Sequence, residues 1–496
     1  MALLPLDIPP GVVRPRTEYA MKGRWYDANH VRWSNGRLQP IGGWERINNG
    51  STDTPVRGAT AWRPSSGERY IAFGTANGLF VHDNNILRDI TPADLVPGRV
   101  NSVYGLGWGV GLYGRGAYGT PRPDTGLVLD ACTWSLDNYG DHLMACSTAD
   151  GRILRWVPGA AKAEPVPNAP ENNAGLLVTN ERFLVALGAG GDKRRIAWSD
   201  RENPEEWTPT ATTEAGDLPL QTPGWIVGGM RHRGQNLIWT QTDVHTLNYV
   251  GPPYVYGLEQ VGTGCGLIGP LAATGTQDLV VWMSDSGFWV FDGYVRPLPC
   301  DVHEYVFSDL NVLQGAKVAA GHNSEFNEIW FFYPSKNSIE NDRYVVWNYL
   351  ENWWSIGRLP RTTWVDRGVW QRPVAFAPDG HIYQHEQGYS DDGEFREVYA
   401  QTAALEFGNG DRVMAVRQII PDGCPAVASC VQVRFYLQQT PTGPTREAGP
   451  YRFTRADGYA DARFTARQAK LRVENTRNSM FNLGVLRLDA VEGGRR

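Results

Sequence analysis

Eight short segments of this chain repeat one pattern. A glycine or polar turn comes first, then a run of aromatic and β-branched residues, then Asp, Asn or Glu. The instances are GRWYDANHVRW from Gly23, GLFVHD from Gly78, GRILRW from Gly151, RRIAWSD from Arg194, DVHTLNY from Asp243, GFWVFDG from Gly287, RYVVWNY from Arg343 and GHIYQHE from Gly380. Such runs are too short for helices, and turn residues bound them, so they read as strands. Most intervals lie near the roughly 40–50 residues that a propeller blade occupies. The fullest copy spans 321–357, where Glu328–Tyr333 and 343–349 flank the polar turn SKNSIEND. Pro334 ends the first run by removing a backbone donor. The runs are nearly continuous in apolar character, which suits strands covered on both faces. A sheet sandwiched between two like sheets is a propeller blade. The expected fold is all-β: a β-propeller of six, seven or eight blades. No long segment carries a convincing helical period.

The 73-residue interval from Gly78 to Gly151 is the outlier. It contains SVYGLGWGVGLYGRGAYGT at 102–120, with seven glycines among tryptophan and tyrosine. That exceeds what a blade turn needs and reads as an insertion projecting from the propeller. Gly105, Trp108, Gly111, Tyr113, Arg115 and Tyr118 are its candidate lumen-facing or partner-facing residues. The proline-rich residues 1–21 read as an extended arm, and 22–397 as the propeller. From 398 to the end, alternating segments such as CVQVRFYL and QAKLRV predict an appended C-terminal β-sandwich-like domain.

Composition narrows the function classes. The formal net charge is −6, which gives no general encouragement for tight phosphate binding. No apolar run is long enough to span a bilayer. The first residues, MALLPLDIPPGVVRPR, lack the charged front and long apolar centre of a secretory signal. Cys132, Cys146, Cys265, Cys300, Cys424 and Cys430 form no CxxC and read as buried thiols, with a Cys424–Cys430 pair across a turn as the alternative.

Catalytic, metal and cofactor motifs are weak or missing, so the chain is expected to be no enzyme. Gly109–Gly114 and Gly264–Gly269 fit GxGxxG by letter, but neither opens a helix after a strand, as a dinucleotide site requires. Asp285 and Asp292 bracket GFWVF; a glycosidase would need them to face each other. His381 and His385 lie four apart on an expected strand, where a solvated or capping role fits better than metal. Trp330, Trp347, Trp353 and Trp354 are candidates for a sugar or base platform, though inter-blade core suits them better.

Three stretches carry a family likeness: TEYAMKGRWYDANHVRWSNGRLQPIGGWERI, EIWFFYPSKNSIENDRYVVWNYLENWWSIG and RQAKLRVENTRNSMFNLGVLRLDAVEGGRR. They resemble the tail-hub or nozzle proteins of short-tailed bacteriophages (packaged-DNA stabilisation proteins, tail tubular protein B-like). The likeness is one of pattern and order over most of the chain, with no single diagnostic motif. It implies a structural virion protein of the tail, assembled in the bacterial host cytoplasm. It implies a homohexamer ring below an adaptor ring, bordering tail fibres, spikes or a needle, with double-stranded DNA passing through. It implies no catalytic residue, metal or cofactor. A conduit should hold phosphates weakly, and six copies at −6 carry 6 × −6 = −36. The rival expectations are a carbohydrate-binding or glycosidase-type propeller acting on host surface glycans, and a monomeric scaffold.

Overall fold

The computed structural model describes residues 2–15, 17–47, 50–83, 86–104, 119, 128–406, 412–423, 431–440, 443–453 and 458–494. Among them, seven four-stranded antiparallel sheets form a β-propeller. Blade 1 runs from Ala59–Trp62 to Ile86–Asp89, blade 2 from Trp134–Tyr139 to Glu164–Pro165, and blade 3 from Gly175–Val178 to Gly216–Pro219. Blade 4 runs from Ile226–His232 to Val255–Thr263, blade 5 from Ala273–Gly275 to Val295–Leu298, and blade 6 from Ala319–Asn323 to Trp353–Arg358. Blade 7 takes Thr363–Val365, Val374–Phe376 and Ile382–His385, and its fourth strand is Trp44–Arg46 from far upstream. First strands of neighbouring blades lie side by side at every junction but that of blades 4 and 5, and that of blade 7 returns to that of blade 1.

Each of the last seven repeats of the sequence pattern forms the third strand of a blade, from Leu79–Asp83 to Ile382–His385. Third strands are covered on both faces by neighbouring blades, which is why their middles are apolar; that of blade 6, Arg343–Asn348, is buried at five of its six positions. The second strand of the same blade, Glu328–Tyr333, is buried at all six positions. Close approach between blades relies on missing side chains. A Cβ on Gly321 would sit 2.4 Å from the Trp364 ring of blade 7, whose indole donates to the His322 carbonyl.

The first repeat behaves differently. Trp25–Asn29 and Val31–Ser34 are strands of a second domain, a sandwich of two six-stranded sheets. One sheet orders Val31–Ser34, Arg37–Pro40, Leu483–Glu492, Met414–Gly423 and Ala460–Ala466, with Ala2–Leu6 also on Leu483–Glu492. The other orders Trp25–Asn29, Tyr399–Thr402, Gln468–Asn475, Val431–Gln438 and Arg446–Arg452, with Leu405–Glu406 also on Gln468–Asn475. Phe435 and Phe464 meet between the sheets at 4.8 Å.

Two expectations are therefore corrected. Residues 1–21 are not an extended arm apart from the folded domains: Ala2–Leu6 is a strand of the sandwich, paired in register with residues 486–490. The propeller does not begin at residue 22, because residues 25–40 supply strands to the C-terminal sandwich. The physical reason is common to both. An apolar run announces a strand, while its partner is set by distant pairing that local pattern does not encode.

The two domains share one apolar core containing Trp25, Trp33, Trp44, Trp330 and Trp354. At its centre lies Arg32, whose side chain is 3% exposed. Its guanidinium donates twice to Glu328 of blade 6 (2.8 and 2.8 Å) and twice to Glu386, just past the third strand of blade 7 (3.1 and 2.6 Å). Asn323 and the Gly42 amide complete Glu386 (both 2.9 Å), and the Trp330 indole completes Glu328 (3.1 Å). Burial pushes Glu328 up; burial opposes but does not overcome the pull of Arg32, which holds Glu386 down. Replacing Arg32 alone strands two carboxylates in a dry core. Arg32→Leu is expected to cost about 3–5 kcal/mol in denaturant unfolding. Adding Glu328→Gln and Glu386→Gln should recover much of that loss.

Candidate functional site

Strand direction alternates within each blade. All blade-to-blade links, and all turns between second and third strands, therefore share one face of the propeller. The sequence-predicted insertion belongs to the link between blades 1 and 2. Gly105, Trp108, Gly111, Tyr113, Arg115 and Tyr118 lie outside the described residues. The flanks of the insertion are described: Val103–Tyr104 pairs antiparallel with Val128–Leu129 as a two-residue ladder.

Just before this ladder the chain makes an unexpected contact. The Ser102 amide donates to Oε1 of Gln314 (3.1 Å), and Nε2 of Gln314 donates to the Ser102 carbonyl (2.8 Å). One glutamine side chain thus pairs with the backbone as a neighbouring strand would. The Ser102 hydroxyl accepts the Ala131 amide (2.9 Å), tying the outgoing and returning limbs together. Next to it, Nζ of Lys317 donates to Asn101 Oδ1 (2.6 Å), the Ile339 carbonyl (2.8 Å) and Glu340 (2.9 Å). Glu340 also takes both of its oxygens to Nη2 of Arg57 at 2.6 Å.

These residues come from four places: the links 1–2, 5–6 and 7–1, and the second-to-third-strand turn of blade 6. Blades 2 and 6 stand three steps apart on a ring of seven. Their feeding segments meet only because both approach the axis. Ser102, Gln314, Lys317 and Arg57 are all under 5% exposed. The result is a buried polar plug that ties these links together directly behind the 103–104/128–129 ladder. Gln314 and Lys317 sit in a short 3₁₀ segment, Val312–Lys317, that follows the seven-residue helix His303–Asp309. No local pattern in the sequence singles them out.

Between the inner strands lies a cavity of about 380 Å³, lined by all seven blades and including Leu177, Met230, Leu271 and Trp364. Asp137 of blade 2 crosses to Arg231 of blade 4 (2.8 Å) and accepts the Val178 amide of blade 3 (2.9 Å). Burial pushes the Asp137 carboxyl up, against the opposing pull of Arg231.

The other sequence candidates do not converge. Asp285 and Asp292 are both exposed and occupy opposite ends of the strand Phe288–Phe291; Asp292 pairs with Arg296 (2.8 Å). His381 pairs with Asp379 (3.1 Å), while buried His385 accepts from Arg361 (2.9 Å) and is held well below its usual range by burial and nearby Arg361. Trp330, Trp347, Trp353 and Trp354 are 2–6% exposed and form core rather than a platform. Gly264–Gly269 joins blades 4 and 5, where Gly266 lies against the Gln241 carbonyl; Gly109–Gly114 lies outside the described residues. Cys132, Cys146 and Cys265 are buried free thiols and Cys300 is half-buried; Cys424 and Cys430 lie outside the described residues. Among the described residues no group of three His, Cys, Asp or Glu side chains is placed to hold a metal ion. No helix there is long and apolar enough to cross a membrane.

No protein-family model matches the chain, and no curated protein does. Solved structures with a similar fold include a catalytically inactive virginiamycin B lyase from Staphylococcus aureus with quinupristin, at 10% identity and TM-score 0.42, covering 69% of this chain and 98% of that one. The Pan2 WD40 domain of Neurospora crassa is similar at 9% identity and TM-score 0.41, over 68% of this chain and 94% of that one. Hsv2p of Kluyveromyces lactis is similar at 11% identity and TM-score 0.33, over 70% and 93%. At these identities and TM-scores nothing is carried over from them, and the propeller stands on its own sheet pairings.

Burial, with Arg57 beside it, pushes the Lys317 ammonium down to about 8 from its ordinary 10.5, despite Glu340. Between these values the unfolded chain holds the proton and the folded chain does not. This site therefore makes stability rise with pH across that window, by up to about 3 kcal/mol. Lys317→Met is expected to flatten that rise, read as the difference in unfolding free energy between pH 8 and pH 10.

Proposed function

We propose that this chain is a structural, non-enzymatic component of a bacteriophage tail, the nozzle or hub of a short-tailed particle. The observation that carries the reading is the division of the molecule into two parts. The convergent charged groups are consumed inside the fold, at Arg32 and at Lys317. The described flanks of the insertion, by contrast, leave Val103, Tyr104 and Val128 exposed on the face that carries the blade-to-blade links. Such a molecule is a wall with one projecting element, and the family likeness of the three quoted stretches gives that wall its place.

The inner cavity bears on where DNA would travel. It holds only about 380 Å³ and is crossed by the Asp137–Arg231 pair. A duplex, whose major groove alone is about 12 Å wide, has no path along this axis. A genome conduit must therefore run between copies of the chain, arranged head to tail in a closed ring with two different contact faces on each copy. Adaptor, fibre, spike or needle proteins would abut that ring. The glycan reading loses its platform, because the four central tryptophans are core.

Native mass and electron imaging test the reading, on the protein alone and with the adaptor ring. A cyclic oligomer with a central channel is expected in at least one of the two. Monomers in both would overturn it. A second variant replaces 105–127 with a two-residue Asn-Gly turn, which the ladder at 103–104 and 128–129 accommodates. Its melting temperature should stay within a few degrees of the parent, while particles carrying it lose DNA retention or tail completion. Unchanged infectivity would remove the insertion from the proposal.

A further inference from the structure

The ladder that roots the insertion contributes little burial of its own. Val103, Tyr104 and Val128 are 44%, 61% and 43% exposed. Two paired residues cannot hold a strand pair in water. What holds the root in place is the polar contact behind it: the two-point pairing of Gln314 with Ser102, the Ala131 amide on the Ser102 hydroxyl, and Lys317 on Asn101. Gln314 and Lys317 are themselves anchored independently of the insertion. Lys317 reaches Glu340 and the Ile339 carbonyl, and its own carbonyl accepts from Asn341 (2.8 Å). The inner strands likewise keep their own pairings. Trp134, at the start of blade 2, donates its amide to the Arg57 carbonyl (2.8 Å) and its indole to the Thr75 carbonyl (2.7 Å).

We propose that Gln314 and Lys317 form a latch that fixes the exit of the insertion over the propeller axis and opens as a local unit, leaving the blades folded. The opened state frees residues 101–104 and 128–131 and leaves the sheets of blades 1, 2 and 6 intact. Its cost is a handful of buried hydrogen bonds, each of modest net worth once water replaces the partner. Segments held this way open far more often than a core strand does. The latch stands whether or not the chain works in a tail.

Amide hydrogen exchange on the full chain tests it. In the wild type the Ser102 and Ala131 amides are expected to exchange at least about a hundredfold faster than that of Ala145 in the second strand of blade 2. Their rates should be insensitive to low urea, whereas that of Ala145 should rise with it. In Gln314→Ala the Ser102 rate should rise about thirtyfold further, the equivalent of the two hydrogen bonds lost, with Ala145 unchanged. Lys317→Met should move Ser102 in the same direction. Ser102 and Ala131 exchanging with the urea dependence of Ala145 would overturn the latch. So would Gln314→Ala shifting Ser102 and Ala145 by equal factors. If Gln314→Ala does not fold, the wild-type urea series decides alone.

Discussion

The fold depends on how a single guanidinium is neutralised. Arg32 belongs to the sandwich, Glu328 to blade 6 and Glu386 to the end of blade 7. A buried ion cluster is weak evidence for stability in itself, because desolvation offsets most of its attraction. Its value here is positional. Two carboxylates on different blades must converge on one cation from a third element, and Asn323, Gly42 and Trp330 fill the remaining acceptor positions. Any slip of the sandwich along the propeller would leave a charge unpaired in a dry core. A few strands away, Trp44–Arg46 completes blade 7, so the contact that docks the second domain also guards the closure of the ring.

The axial plug uses the same device for a different purpose. Lys317 and Arg57 share Glu340 as Glu328 and Glu386 share Arg32, with the signs exchanged. The first cluster is surrounded by tryptophan and joins two domains. The second is surrounded by loops and joins links that would otherwise end at the axis as separate turns. That contrast explains why one is structural cement while the other borders the surface element that gives the molecule its proposed role.

Much of the propeller was legible because its third strands are covered on both faces, and this forces the continuous apolar runs that a reader can count. Seven of the eight repeats found their blades. The eighth, GRWYDANHVRW, has the same local chemistry, since Trp25 and Trp33 are as buried as any blade tryptophan. Only the pairing of Trp25–Asn29 with Tyr399–Thr402 reveals that it belongs elsewhere. Ala2–Leu6, read as part of an extended arm, has its partner at residues 486–490, where no local pattern could show it. The insertion showed itself by glycine density, but its root did not. Gln314 and Lys317 lie in a featureless stretch, and their meaning arises only where links from opposite sides of a ring meet. Polar contacts of this kind have no period, so counting cannot find them.

The strand Trp44–Arg46 carries a consequence for biosynthesis. It pairs with residues 383–385, and Ala2–Leu6 pairs with 486–490. A ribosome adding roughly 5–20 residues per second needs on the order of 20–70 s to travel from the first of these strands to its partner. Throughout that interval Ala2–Leu6, Trp25–Asn29 and Trp44–Arg46 have emerged without their partners, while blades 1 to 6 accumulate as an open arc. The nascent chain is thus a long-lived client for chaperones, and a ribosome that stalls late leaves behind an unclosed, adhesive crescent rather than a shortened ring.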